Sequence, residues 1–250
     1  MVERLEILVT NDDGIHSEGI VVLAKALSDI GTVFGVAPIT ERSAAAHALT
    51  LHRPLRVEKI RRNFYAVDGT PADCVHLAVS SILSRKPHLL VSGINKGQNL
   101  GNDIVYSGTV SAAFEGTLLG IPSFAISLVA RSHFKFHPAA RFAVKLARYI
   151  LHRGLPKDTF LNVNVPNLEE KEIQSYRITQ QGRYTHGNEV VEKVDPRGKK
   201  YYWIGGGTTV FEKKRRTDFE AVSKASISIT PLQIDLTNYP SIREMKKWKL

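Results

Sequence analysis

The chain has 250 residues, 43% of them hydrophobic, which fits one large α/β domain or one domain with an appendage and excludes global disorder. Its single cysteine, Cys74, excludes an intramolecular disulfide framework and a multi-cysteine zinc site, so a reducing, cytoplasmic setting is expected. The net charge of +10 is uneven, −1 over residues 1–130 against +11 over residues 131–250, and the C-terminal excess reads first as a solvated surface, with polyanion binding as the alternative. No run is apolar enough for long enough to serve as a signal-peptide core or a membrane helix.

Residues 5–10 form a continuous apolar run that ends in Asn11, Asp12, Asp13 and Gly14, and apolar residues then recur at helical spacing over 18–30 until Gly31. With the apolar run 33–37 closed by Pro38, the opening predicts a strand, a loop, a helix and a second parallel strand. Residues 38–50 are irregular. Strands are expected over 55–60 and 64–67, and Thr70 as N-cap with Pro71 at the first helical position starts a helix to about Ser84. A buried strand over 89–92 leads into a polar, glycine-rich loop from Gly93 to Gly101, and a helix follows Ser107, Gly108 and Thr109 and runs to Leu119. Further elements are a strand over 123–128, a helix over 138–152 and a strand over 159–165. Beyond these, turn signals at Gln181 and Gly182, at 195–198 and at 205–207 mark a hairpin-rich stretch.

Alternating strands and helices predict a doubly wound, mostly parallel, Rossmann-like α/β core over residues 1–165, and residues 166–250 a hairpin-rich extension with a returning strand. In such sheets ligands bind at the carboxyl ends of the strands, which puts the loops at 11–14, around Ser43 and at 93–109 on one rim.

Asp12 and Asp13 are adjacent carboxylates at a strand's end, and they repel each other unless a cation is present or they serve as a helix cap or turn. A hard divalent ion with two carboxylates and neutral oxygens resolves the repulsion. The second loop supplies short amides and hydroxyls in Ser92, Asn95, Asn99, Asn102, Ser107 and Thr109. Ser107, Gly108 and Thr109 ahead of a helix offer hydroxyls and backbone N–H groups at a positive dipole end, suited to phosphate oxygens or to ordinary capping. The glycine patterns of P-loop NTPases and dinucleotide folds and the nucleophile elbow of α/β-hydrolases are absent. Cys74 and Asp73 read as a buried hydrophobe and a first-turn helix stabiliser. Among the histidines, His47 stands out for following the Ser43 loop.

The ordered stretches ILVTNDDGIHSEGI at 7–20, APITERSAAAHALTL at 37–51, VDGTPADCVHLA at 67–78, VSGINKGQNLGNDIVYSGTVSAAFEG at 91–116 and NVNVP at 162–166 resemble the SurE family of metal-dependent 5′/3′-nucleotidases. DPRGKKYYW at 195–203 and SISITPLQIDLT at 226–237 extend the resemblance nearly to the end. It implies that Asp12, Asp13, Ser43 and Asn95 hold one divalent cation per subunit, Mg²⁺ or Mn²⁺, and that Ser107, Gly108 and Thr109 lie in the phosphate pocket, to which Asn99 is added. It also implies that the hairpin stretch 182–217 reaches another subunit in a homodimer or tetramer. One departure stands out: the family pattern often has glycine directly after the ligand serine, whereas Ala44, Ala45 and Ala46 follow Ser43 here.

The activity expected is hydrolysis of nucleoside 5′-monophosphates, with 3′-monophosphates and polyphosphate as further substrates and no membrane or specific nucleic-acid partner. Asp12, Asp13 and Asn95 form its catalytic set, and water is preferred to an aspartate as nucleophile. The alternative is a nucleotide-binding regulatory module without turnover. It is disfavoured because a pure phosphate binder gains nothing from two negative charges facing its anionic ligand.

Overall fold

The computed structural model describes residues 5–249 apart from 187–189, 205–208 and 213. Its main element is a nine-stranded sheet. The strands are β1 (Glu6–Thr10), β2 (Thr32–Pro38), β3 (Val57–Arg61), β4 (Phe64–Val67), β5 (Leu89–Lys96), β6 (Ser123–Val129), β7 (Thr159–Pro166), β8 (Tyr176–Ile178) and, numbered in chain order after the hairpin strands, β13 (Ile227–Gln233). Their order is β3-β4-β2-β1-β5-β6-β7-β13-β8, and pairing is parallel except for β3 on β4 and β13 on β7. The doubly wound, mostly parallel α/β core expected from the sequence is therefore present.

Helices cover both faces. Alternate residues of β1 divide between them, with Ile7 and Val9 packing toward α1 (Glu18–Leu27) and α4 (Phe136–Arg153). Leu8 packs toward α2 (Pro71–Leu77) and α3 (Gly108–Leu118). Burial on both faces is why the parallel strands read as unbroken apolar runs. Among the described residues no helix is long and apolar enough to cross a membrane.

Two boundaries differ most from the sequence expectation. The helix expected to reach residue 84 is α2 followed by a single π-helical turn, Ala78–Ile82. β5 does not stop at Ser92 but runs to Lys96, because its pairing with β6 resumes after a register shift between Gly93 and Asn95. Gly93 permits this: its φ is 141°, and a Cβ there would sit 2.2 Å from the Ile126 carbonyl oxygen. The chain beyond residue 165 contributes β8 and β13 to the same sheet. It also forms two antiparallel pairs, β9 (Tyr184–His186) with β12 (Thr209–Phe211) and β10 (Val190–Val194) with β11 (Lys200–Ile204), before the short α5 (Asp218–Ser223) and, after β13, α6 (Tyr239–Met245). The expected turn at 195–198 closes β10 onto β11, with Asp195 Oδ1 accepting from the Arg197 and Lys199 N–H groups. The turn expected at 205–207 lies outside the described residues.

Candidate metal and phosphate site

From β1 the chain winds to β2 on one side, while β5 lies on the other, so strand order reverses between β1 and β5. In open α/β sheets such a reversal marks the ligand side at the strands' carboxyl ends, and here Thr10 pairs in register with Ser92 at that end. Asp12 and Asp13 follow directly. The Asn11 amide donates to the Gly14 carbonyl at 3.0 Å and to Ser17 Oγ at 2.7 Å, closing the loop onto the start of α1.

Asp12 is 5% exposed and lies against the N-terminus of α3. The Thr109 hydroxyl donates to its Oδ1, and a Cβ on Gly108 would come within 2.8 Å of its Cβ, so only glycine admits this approach. Ser107 caps the helix, its Oγ accepting from the Val110 N–H at 3.1 Å. Burial raises the Asp12 carboxyl to about 6, against the Thr109 hydrogen bond that lowers it and with the Asp13 charge adding to the rise. Asp13 is also raised by burial, although it accepts from the Lys96 N–H at 3.1 Å. Two desolvated carboxylates on neighbouring residues form a strongly electronegative point.

The other expected residues gather less uniformly. Asn95 is half-buried at the end of β5, and its Nδ2 donates to the Gly97 carbonyl at 3.0 Å. Ser43 is exposed and donates to Glu41 at 2.5 Å, but its loop is tied across the rim, by Arg42 N to the Asp12 carbonyl at 2.7 Å and by Ala46 N to the Tyr106 carbonyl at 3.1 Å. Asn99 is buried, with Nδ2 on Ser127 Oγ at 2.8 Å, and its backbone carbonyl accepts from Asn162 and Asn164 of β7. Its side-chain amide thus braces the loop against β6, and its backbone against β7. Ala44 and Ala46 have φ of 56° and 50°, the left-handed region where glycine is at ease.

Sequence reasoning missed Glu115. This 5%-exposed carboxylate on α3 meets His47 Nε2 at 2.8 Å and His76 Nδ1 at 3.3 Å, and His47 lies on Phe114 at 4.8 Å between ring centroids. The Ser43 loop is therefore clamped to α3 at His47 and to α2 at Thr50, whose N–H and hydroxyl donate to Asp73 at 2.8 and 2.6 Å. The available signal was a single carboxylate within a helix of otherwise small and apolar residues. Asp73 completes a capping box with Thr70, as a first-turn stabiliser, and Cys74 is fully buried, which pushes its thiol well up.

The donors at this rim suit a hard divalent cation. They are carboxylate, amide and hydroxyl oxygens, and the Asn11 Oδ1 beside them is buried without a hydrogen-bond partner. Among the described residues no three of His, Cys, Asp and Glu are placed to hold a metal together, so an ion here would rest on two carboxylates completed by neutral oxygens.

A doubly wound sheet with paired carboxylates at its switch point and a hydroxyl-bearing helix N-terminus against them defines an α/β protein of the open-sheet class, whose ligands bind at the carboxyl ends of the strands. The model of the survival protein SurE family matches residues 7–188, and the chain belongs to that family. It is 56% identical over 247 residues to the 5′-nucleotidase SurE of Geobacter sulfurreducens, covering 98% of this chain and 94% of that protein. The 5′-nucleotidase SurE of Geotalea daltonii is 53% identical, with 98% and 100% covered. The crystal structure of the SurE protein from Aquifex aeolicus superposes with a TM-score of 0.86 at 45% identity, covering 96% of this chain and 98% of that one.

Proposed function

We propose that this protein is a divalent-metal-dependent phosphomonoesterase that hydrolyses nucleoside 5′-monophosphates to nucleoside and phosphate. The observation that carries the proposal is the contact of buried Asp12 with Thr109 and Gly108 at the start of α3, which sets a carboxylate pair against a helix N-terminus. The family membership and the names of its relatives support the same activity.

Asp12, Asp13, Ser43 and Asn95 are the residues that would hold the cation, and the all-oxygen set favours Mg²⁺ or Mn²⁺. When bound, the ion supplies Lewis-acid neutralisation of the phosphoryl oxygens. The chain's own contribution is to bind and orient: Ser107 and the N–H groups of Gly108 and Thr109 take the phosphoryl oxygens at the positive end of α3. Asp12 is bonded by Thr109 and packed against Gly108, and Asp13 accepts from the Lys96 N–H, so both carboxylates are poorly free to attack phosphorus and water is the preferred nucleophile. We assign the catalytic core to residues 1–165 and assembly into a homodimer or tetramer to the extension 166–250, in a cytoplasmic protein. Turnover of 3′-monophosphates and of polyphosphate belongs to the same proposal. The cationic run at 213–216 is the candidate for steering the longer anion: Lys214, Arg215 and Arg216 are exposed, and Lys213 lies outside the described residues.

The test is phosphate release across nucleoside monophosphates with Mg²⁺ or Mn²⁺ and with a chelator. Metal-dependent release that the chelator abolishes is expected. Release indifferent to chelator, or none from any nucleoside monophosphate, would overturn the proposal.

A further inference from the structure

Residues 101–107 form one continuous turn into the α3 N-terminus: a 3₁₀ helix, Gly101–Val105, then Tyr106 N on the Asp103 carbonyl at 3.0 Å and Ser107 N on the Ile104 carbonyl at 3.4 Å. Three successive residues at the start of this turn are held by the C-terminal extension. Gly101 N–H donates to Asp218 Oδ2 at 2.8 Å, and Gln181 Nε2 donates to the Gly101 carbonyl at 2.8 Å. Asn102 Nδ2 donates to the Tyr184 carbonyl at 2.7 Å, and the Tyr184 hydroxyl donates to Asp103.

Asp218 is the centre of this grip. It is wholly buried, and its Oδ1 accepts from the Gly182 and Phe219 N–H groups at 2.9 Å each. Packing leaves little slack: a Cβ on Gly101 would meet Phe219 Cε2 at 2.5 Å, and one on Gly182 would meet Phe219 Cδ2 at 2.5 Å and Asp218 Oδ1 at 2.7 Å. The Phe219 ring in turn lies 5.8 Å from Tyr184 and 4.4 Å from Phe211 of β12, centroid to centroid. One carboxylate thus joins the chain at 101, 182 and 219 through N–H bonds to a charge acceptor, the stronger kind of hydrogen bond.

We infer that Asp218 is a positioning residue for phosphate: through Gly101 it fixes the turn that sets Ser107, Gly108 and Thr109, so the extension is part of the phosphate pocket's scaffold. This rests on the assignment of the pocket above. The carboxylate touches no substrate. Its effect is on the turn that leads into the α3 N-terminus, so losing it should weaken phosphate binding more than the cation site, whose ligands Asp12, Asp13, Ser43 and Asn95 come from the segments after β1 and β2 and from β5.

The experiment uses the full chain with Asp218→Asn, which keeps the shape but turns one acceptor oxygen into a donor facing an N–H, and Tyr184→Phe, which removes only the hydroxyl on Asp103. Inorganic phosphate is the probe, followed by calorimetric titration and as an inhibitor of nucleotide turnover, with Mn²⁺ affinity and KM measured in parallel. In Asp218→Asn, the phosphate dissociation constant and KM should rise together by about 10-fold, the lower end of what removing an orienting group costs, with Mn²⁺ affinity falling by less because the Thr109–Asp12 bond itself is left in place. Tyr184→Phe should move the same two constants in the same direction by less, and it decides the matter if Asp218→Asn does not fold. Folded variants with parental phosphate binding and KM would overturn the inference, as would loss of Mn²⁺ affinity in step with phosphate affinity. If the parent protein itself does not bind phosphate, the pocket assignment falls and the inference with it. Phosphate binding by the parent with indifferent variants removes Asp218 alone.

Discussion

Thr109 donates its buried hydroxyl to Asp12 Oδ1 across 97 positions of sequence. The bond joins the end of the first strand to the start of α3 and so fixes how a carboxylate faces a helix N-terminus. Thr109→Val keeps the shape and removes the donor. Groups that orient a ligand carboxylate are worth about 10–100-fold in metal affinity or activity, and a loss of that size is expected in Mn²⁺ titration of the folded variant. Parental Mn²⁺ affinity in Thr109→Val would show that Asp12 does not depend on it.

Gly108→Ala tests the same contact from the other side. Alanine at the first helical position would by propensity alone stabilise α3, by up to about 1 kcal/mol. The new Cβ, however, would lie 2.8 Å from Asp12 Cβ and 3.1 Å from Pro71 Cγ, neither of which is the free end of a flexible chain. Overpacking of this kind costs about 1–3 kcal/mol, so the clash prevails and the melting temperature falls. Displacing Asp12 should also lower kcat/KM by about 100-fold. A variant as stable and as active as the parent would mean that the approach of Asp12 to α3 is not as tight as 2.8 Å implies.

Glu115 gives a pH signature. Its hydrogen bond to His47, with His76 contributing, holds the carboxyl below the usual 4.5 against the cost of burial. The native state therefore favours the ionised form, and the stabilisation is present above pH 4.5 and lost as pH falls through the lower native value. Glu115→Gln should cost about 1–3 kcal/mol near neutrality. The gap to the parent, measured by urea unfolding at about pH 6 and about pH 3, should narrow at the lower pH. A gap of equal size at both would remove the ionised Glu115 from the loop clamp.

Much of the site was legible because its parts are local. A strand ending in Asn11, Asp12 and Asp13 and a helix opening at Ser107 are each visible within a dozen residues, and parallel pairing then brings both to one rim. What escaped depends on partners far along the chain. The extension of β5 to Asn95 needs β6 beside it and a glycine at 93 against Ile126. The side-chain amide of Asn99 turns to Ser127 rather than to open solvent, a choice made by β6 and β7. Asp218 stands in the first turn of α5, directly after the N-cap Thr217, and its bond to Gly101 spans 117 positions. Glu115 was hidden because neither His47 nor His76 stands at helical spacing from it.

The alanines after Ser43 lead to the last prediction. Ala44 holds φ at 56°, a left-handed conformation that costs an L-residue about 1–2 kcal/mol. Ala44→Gly removes that strain but gives the unfolded chain more freedom, worth about 0.4–1 kcal/mol in the other direction. Strain relief is the larger quantity, so the variant should match or exceed the parent in urea unfolding by up to about 1 kcal/mol, against the usual penalty for introducing glycine. Glycine also widens the range open to Ser43, which the neighbouring anchors at Arg42 and Ala46 hold only through the backbone. Mn²⁺ affinity should then fall modestly, by about two- to five-fold, since ordering Ser43 would cost about 0.5–1 kcal/mol more on binding. Destabilisation by about 0.4–1 kcal/mol would contradict a left-handed Ala44, because glycine at an ordinary φ carries only the entropic loss.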